Sequence, residues 1–367
     1  MNEFLDSVSE EQNKIEMQLK RFFVKLVNRE ENFLLNDFYQ KLRDFILSGG
    51  LAKRIRPLVL IKTFTGLAMD NRIEKYLDEV YQISVAMELL HNSSIIHDDV
   101  VDQDFTRRGK PTFHRVFTEM FDNLNENSYG AAELFGNAIA IHGGDACAFL
   151  GQNTIVSSKF SSTEKFQALW DFSEAVNAIS KGKIMEQYSQ MKSLDNCTLE
   201  DYLMVSEWKT SKQFEASAAI GAALADARLS QSKPLKMAMK YLGLSYQIQN
   251  DINDTFGNPE LKSIDMDIKE RRRNILLITA YRNASSSQKK EMNSILNATD
   301  ELTRAQIESI RNIIRDTGSL DFAKLYSKNM IQHTQQELDK IYPGLSDDSM
   351  DFYKKLLIFI PKKYTSI

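Results

Sequence analysis

The stretch at residues 72–102 reads RIEKYLDEVYQISVAMELLHNSSIIHDDVVD. Its apolar positions Leu77, Val80, Ile83, Ala86, Leu89 and Leu90 recur at steps of three, three, three, three and one, the period of a helix and not of a strand. Upstream, Leu58, Ile61, Phe64 and Ala68 step by three, three and four along one face. The same spacing predicts helices over about 12–28, 32–47, 136–159, 164–191, 199–227, 234–256, 267–283, 286–297, 303–316, 320–340 and 347–357. No stretch sustains a two-residue alternation, and 15 glycines with 6 prolines supply too little turn chemistry for an all-β chain. No Pro/Gly/Ser-rich linker, low-complexity tract or repeat divides the sequence, so the expected fold is all-α, a single large helical bundle over residues 1–367. Residues 118–133, TEMFDNLNENSYGAAE, form the one polar, Asn-rich interruption, expected to be an insertion or a mobile loop.

Composition excludes several function classes. The formal charge of −4, from 46 basic and 50 acidic residues, gives no general polyanion-binding character, so nucleic acid is not an expected partner. Cys147 and Cys197 stand far apart and form no CxxC, which argues against a structural zinc site or a disulfide framework and fits a reducing cytoplasm. The N-terminal segment is too charged for a signal peptide. No run of about 18 apolar residues predicts a transmembrane segment.

Two acidic clusters carry the chemistry. His97-Asp98-Asp99-Val100-Val101-Asp102 ends the long helix, and Asp98 and Asp102, one turn apart, project from one face. Like charges at that spacing repel unless a cation sits between them; without one, the pair is a solvated helix face. A second cluster, Gln247 through Asp254, places Asn250 and Asp254 one turn apart on another helix. Hard oxygen ligands on two helices suit Mg²⁺, which is commonly bound by a few carboxylates together with substrate phosphates. Basic segments accompany them. Gly49-Gly50-Leu51-Ala52-Lys53-Arg54-Ile55-Arg56-Pro57 puts three cations just before a helix, and Arg107-Arg108-Gly109-Lys110 follows the first acidic cluster. Arg forks and helix N-terminal amides bind phosphate oxygens, so carboxylates for Mg²⁺ beside separate cations point to a protein that handles two diphosphates. The bland alternative for each basic segment is a surface charge run.

These motifs in this order resemble the trans-isoprenyl diphosphate synthases, the farnesyl and geranylgeranyl diphosphate synthase family, from about residue 49 to 277. The first aspartate-rich motif looks like Asp98, Asp99 and Asp102, and the arginine pair looks like Arg107 and Arg108. The Lys-Thr motif looks like Lys209-Thr210, followed by Phe214, and the second aspartate motif looks like Tyr246-Gln247 through Asp254. Departures are Asn250 for the first aspartate of that second motif, Leu51 and Ala52 splitting the usual Gly-Gly-Lys, Gly182-Lys183 with Glu186 where Gly-Gln and Asp are common, and Arg272 where lysine is usual.

The resemblance implies Asp98, Asp102, Asn250, Asp251 and Asp254 as Mg²⁺ ligands for an allylic diphosphate. Lys209 and Arg107 would add positive charge, Arg272 would bind substrate in the place of the usual lysine, and Thr210 and Gln247 would offer oxygens near an allylic cation. Lys53, Arg56, His91 and Arg108 would hold isopentenyl diphosphate, His91 lying two helical turns before Asp98. A homodimer is also implied. Two rivals remain at this point: a terpene cyclase, whose second metal motif would need a Ser or Thr and then a Glu where Asp254 and Asn258 stand, and a non-catalytic partner subunit, for which Asn250 speaks. Product length is expected to depend on Ser93 and Ser94, five and four positions before Asp98. Neither is bulky, a helical turn of about 5.4 Å matches roughly one isoprene unit, and Leu89 and Leu90 become candidate floors for a product of at least about twenty carbons.

Overall fold

Ile15, Leu19 and Phe23, four apart, turn one face of a helix inward at Ser9–Arg29, and the same logic recurs along most of the chain. The structure, a computed structural model, describes residues 2–48, 54–107, 109–124, 131–258, 265–298 and 300–362. Contacts group the chain into two compact units, one of Asn2–Val176 with Ala219–Ala227, the other of Asn177–Ala218 with Arg228–Ile367.

The first unit holds α1 (Asn2–Ser7), α2 (Ser9–Arg29), α3 (Phe33–Leu47), α4 (Ile55–Leu67), α5 (Asp70–Val101), α6 (Phe113–Leu124), α7 (Ala131–Val156) and the N-terminal half of α8 (Ser162–Met191). Between α5 and α6 runs a minimal antiparallel hairpin, β1 (Thr106–Arg107) against β2 (Lys110–Pro111), with Gly109 at φ +74 in its turn. Helix α5 is buried on most sides from Val80 to Ile96, which makes it the central rod of this unit. Small residues let α7 lie close to its neighbours. A Cβ on Gly143 would meet Phe113, and one on Gly151 would meet Phe172 and the Ala86 carbonyl.

The second unit holds the C-terminal half of α8, α9 (Leu199–Ser206), a π-helical turn at Glu207–Ser211, most of α10 (Lys212–Leu224), α11 (Leu229–Phe256), α12 (Met266–Lys269), α13 (Ile275–Asn283), α14 (Ser286–Leu296), α15 (Arg304–Asp316), α16 (Ser319–Leu338) and α17 (Asp347–Lys362). Its core gathers Ile248, Ile252, Ile275, Leu277, Ile310 and Ile314. Ser245 and Gln249 of α11 both reach Ser327 Oγ of α16, at 2.8 and 3.0 Å.

Three expectations need correction. Residues 118–124 are helical, the end of α6; Phe113, Val116, Phe117, Met120, Phe121 and Leu124 carry its three-and-four spacing, which the Asn-rich run beyond obscures. Residues 125–130 lie outside the described residues. The stretch 267–283 is two helices: Arg271 at φ +57 breaks the first, and the Asn274 side chain accepts from Leu277 N at 3.0 Å to start the second. The stretch 199–227 is interrupted by the π-helical turn, which adds one residue to a turn without any glycine or proline to mark it.

Candidate active site

In the first unit the end of α5 presents its aspartates unequally. Asp98 and Asp102 are half-buried, whereas Asp99 is fully buried. The hairpin explains this, because Asp104 N donates to Asp99 O at 3.0 Å and Thr112 Oγ1 to Asp104 O at 2.7 Å, folding β1 back on the helix end. Arg107 then donates from Nε to Asp99 Oδ1 at 2.7 Å and lies 3.2 Å from Asp104 Oδ2. Burial pushes the Asp99 carboxyl up to about 6, against the pull of Arg107. Its Oδ2 is buried and accepts no hydrogen bond among the described residues, an oxygen whose chemistry fits a hard cation. Next to it, His97 Nε2 meets the Ile141 carbonyl at 3.0 Å, a contact that Gly144 permits, since a Cβ there would lie 2.2 Å from Nε2.

The basic segment is partly in view. Arg56 is buried on the first turn of α4, and His91 is half-buried on α5. Lys53 and Arg108 lie outside the described residues. Ser93 is buried and Ser94 half-buried, with Ser94 Oγ donating to the His91 carbonyl at 2.8 Å.

In the second unit Lys209, Gln247, Asp251 and Arg272 line one cleft together with Glu186 and Tyr202, while Thr210, Asn250 and Asp254 are not part of its lining. The π-helical turn aims two neighbours at different partners. Lys209 Nζ reaches Glu186 Oε1 at 2.6 Å, and Thr210 Oγ1 donates to Gln247 Oε1 at 2.7 Å. The Gln247 amide in turn donates to Asp251 Oδ1 at 2.8 Å, and Tyr202 OH to Asp251 Oδ2 at 2.6 Å. Burial first, and Asp267 second, hold the Asp251 carboxyl above its ordinary range. Burial also works against Glu186, but Lys209, Lys183 and Arg272 outweigh it and keep that carboxyl well below the usual range. Asp254 is buried and accepts at Oδ2 from Asp267 N at 2.8 Å, while Asn250, half-buried, stands one turn before it. Arg272 Nε pairs with Glu270 at 2.5 Å and NH1 lies 3.8 Å from Asp267.

Sequence reasoning missed Tyr202, Asp267 and Asn274 in this cleft. Asn274 donates to Asp267 Oδ2 at 2.9 Å, so the residue that caps α13 also orients Asp267. No motif spacing announces these partners. Two close approaches hold the π-turn in place: a Cβ on Gly182 would lie 2.8 Å from Lys209 N, and one on Gly243 would lie 2.4 Å from Ser211 Cα. Cys147 is buried, its thiol pushed up to about 12, as befits a packing residue. Among the described residues, no three His, Cys, Asp or Glu side chains converge as a ready-made metal cage. A cation held by Asp98 and Asp102, or by Asp251 and Asp254, would complete its shell with water and phosphate oxygens, the usual habit of Mg²⁺.

The chain is similar to known proteins. The family model of polyprenyl synthetases, "Polyprenyl synthetase", matches residues 36–314. The short chain isoprenyl diphosphate synthase of Methanocaldococcus jannaschii is 30% identical over 321 residues, 85% of this chain and 83% of that protein. The geranylgeranyl diphosphate synthase of Saccharolobus solfataricus is 30% identical over 87% of this chain and 91% of its own. Among solved structures, a geranylgeranyl pyrophosphate synthase from Corynebacterium glutamicum, complexed with isoprenyl diphosphate and magnesium, superposes with a TM-score of 0.84 at 22% identity, covering 95% of this chain and 97% of that one. The chain belongs to the polyprenyl synthetase family. It is a prenyltransferase of the trans-isoprenyl diphosphate synthase class with the all-α fold of that class. No helix among the described residues is long and apolar enough to cross a membrane.

Proposed function

We propose that the chain condenses isopentenyl diphosphate with an allylic prenyl diphosphate, using Asp98, Asp102, Asn250, Asp251 and Asp254 to hold Mg²⁺. The observation that carries this reading is the division of labour at the end of α5: Asp99 is buried on Arg107, while Asp98 and Asp102 remain half-exposed one turn apart. Magnesium, when bound, neutralises charge on the departing diphosphate. Lys209 and Arg272 add fixed positive charge for the same leaving group, so the allylic carbon–oxygen bond breaks to a carbocation. Thr210 and Gln247, hydrogen-bonded to each other, present oxygen dipoles toward it. The double bond of isopentenyl diphosphate, held by Lys53, Arg56, His91 and Arg108, attacks that cation, and a proton leaves to diphosphate. Residues 1–367 are proposed to act as one catalytic domain.

A homodimer in the cytoplasm completes the proposal. Leu134, Ile141, Phe149 and Val156 of α7, with Phe166 and Trp170 of α8, leave a large apolar surface exposed on the first unit, of the kind a second copy covers.

Two expected outcomes follow. In Arg56→Ala the KM for isopentenyl diphosphate rises about tenfold or more while that for the allylic substrate changes less than about threefold, because one cation site serves one diphosphate. Equal rises for both substrates would contradict the division. In Ser93→Phe the main product shortens without loss of condensation, because a phenyl ring about one turn before Asp98 puts bulk where serine is small. Chromatography of dephosphorylated products reads the length. An unchanged distribution in an active variant would move the floor to another element.

A further inference from the structure

Arg54 lies between the two cations assigned to isopentenyl diphosphate, Lys53 and Arg56, and by sequence it looks like a third. Its guanidinium is only 1% exposed and points into the protein. Nε donates to Glu16 Oε1 at 2.7 Å, NH2 reaches the same oxygen at 2.6 Å and the Ile46 carbonyl at 3.2 Å, and NH1 pairs with Glu88. Four of its five N–H groups therefore have partners, contributed by α2, α3 and α5. The side chain has no fork left to offer a phosphate.

The backbone is constrained as well. Arg54 sits at the N-cap of α4 at φ +46, in the left-handed region that residues with a side chain avoid. That conformation sets the direction in which the chain enters α4 and presents Arg56 two residues later. Glu88, the far partner, also accepts from Asn92 Nδ2 at 3.1 Å, and Asn92 is the immediate neighbour of His91 on α5. One buried guanidinium thus links the turn bearing Arg56 to the turn bearing His91. In charge the cluster works against its location, since two carboxylates on one guanidinium leave an excess negative charge beside a site for a polyanion. Geometry, not charge, is what the network supplies.

We propose that Arg54, clamped by Glu16 and Glu88, is a positioning residue for isopentenyl diphosphate and not one of its ligands. This rests on the assignment of Arg56 and His91 to that substrate. Glu16 lies in α2, upstream of residues 36–314 that define the family match, so the clamp recruits a segment outside the shared motifs.

The test compares Glu16→Ala, Glu16→Gln and Arg56→Ala in the full chain, with steady-state kinetics for both diphosphates and thermal unfolding of each variant. Glu16 is partly exposed on a regular helix, so both replacements are compatible with folding. Glu16→Ala releases the Arg54 fork and should raise the KM for isopentenyl diphosphate about fivefold or more, with kcat and the allylic KM within about twofold of wild type. Glu16→Gln keeps an accepting oxygen and should return that KM to within about twofold. If charge alone mattered, both variants would remove the same negative charge and lower the KM together. An unchanged or lowered KM in folded Glu16→Ala, or a parallel rise for both substrates, would overturn the clamp while a raised KM in Arg56→Ala leaves the site assignment standing. An unchanged KM in Arg56→Ala would place the fault in the site assignment itself, and the clamp falls with it.

Discussion

Asp98→Ala should lower turnover about a thousandfold while the fold survives, the scale reached when a preorganised group facing a developing charge is removed. The expectation follows from how the three aspartates at the end of α5 differ. Asp99 carries the structural bond, accepting Arg107 Nε at 2.7 Å in full burial, so the hairpin stays docked when Asp98 is gone. Asp98 is half-exposed and stands one turn before Asp102, and its removal also relieves a like-charge pair at i and i+4. Asp99→Ala should show the opposite balance, a lowered unfolding midpoint, because it leaves the Arg107 guanidinium with Asp104 at 3.2 Å. Turnover and thermal unfolding measured on both variants separate the roles. Wild-type turnover in a folded Asp98→Ala would remove Asp98 from the metal set.

Gly243→Ala should lower turnover about a hundredfold and stability by about 1 to 3 kcal/mol, the range for forcing a methyl into a packed contact. The new Cβ would lie 2.4 Å from Ser211 Cα, 2.6 Å from its Oγ and 2.8 Å from its Cβ, so backbone must move and not just a flexible side-chain tip. The backbone in question is the π-helical turn that aims Lys209 and Thr210. Gln247, one turn along α11 from Gly243, depends on that same approach for its 2.7 Å bond from Thr210. A variant with wild-type kcat and unfolding midpoint would show that the π-turn tolerates displacement and that its geometry is not needed for turnover.

The sequence made the helices legible because each buries a regular stripe, as Ile15, Leu19 and Phe23 do in α2. It was silent where the backbone departs from helix without glycine or proline. Neither the π-turn at Glu207–Ser211 nor the left-handed Arg271 has a compositional mark, so helical spacing runs through both without a break. The apolar stripe of the helix at Phe113–Leu124 is masked in the sequence by the polar run that follows. At the site, the aspartate motifs could be found because their members are neighbours on one helix. Pairings across long separations could not. Arg54 with Glu88, 34 residues apart, and Tyr202 with Asp251, 49 apart, have no local spacing to reveal them. For that reason nothing in the sequence shows that the Arg54 and Arg107 guanidiniums both pair with carboxylates.

The most direct measurement is a product assay on the purified full chain with Mg²⁺, labelled isopentenyl diphosphate and an allylic diphosphate, resolved by chromatography after dephosphorylation. The expected result is label in linear prenyl alcohols extended by whole five-carbon units, reaching about twenty carbons or more because Ser93 and Ser94 are small, and no such products when Mg²⁺ is chelated. Cyclic hydrocarbon released from the allylic substrate without isopentenyl diphosphate would make the chain a cyclase, and absence of any product from a folded chain would make it a non-catalytic subunit; either result would contradict the account.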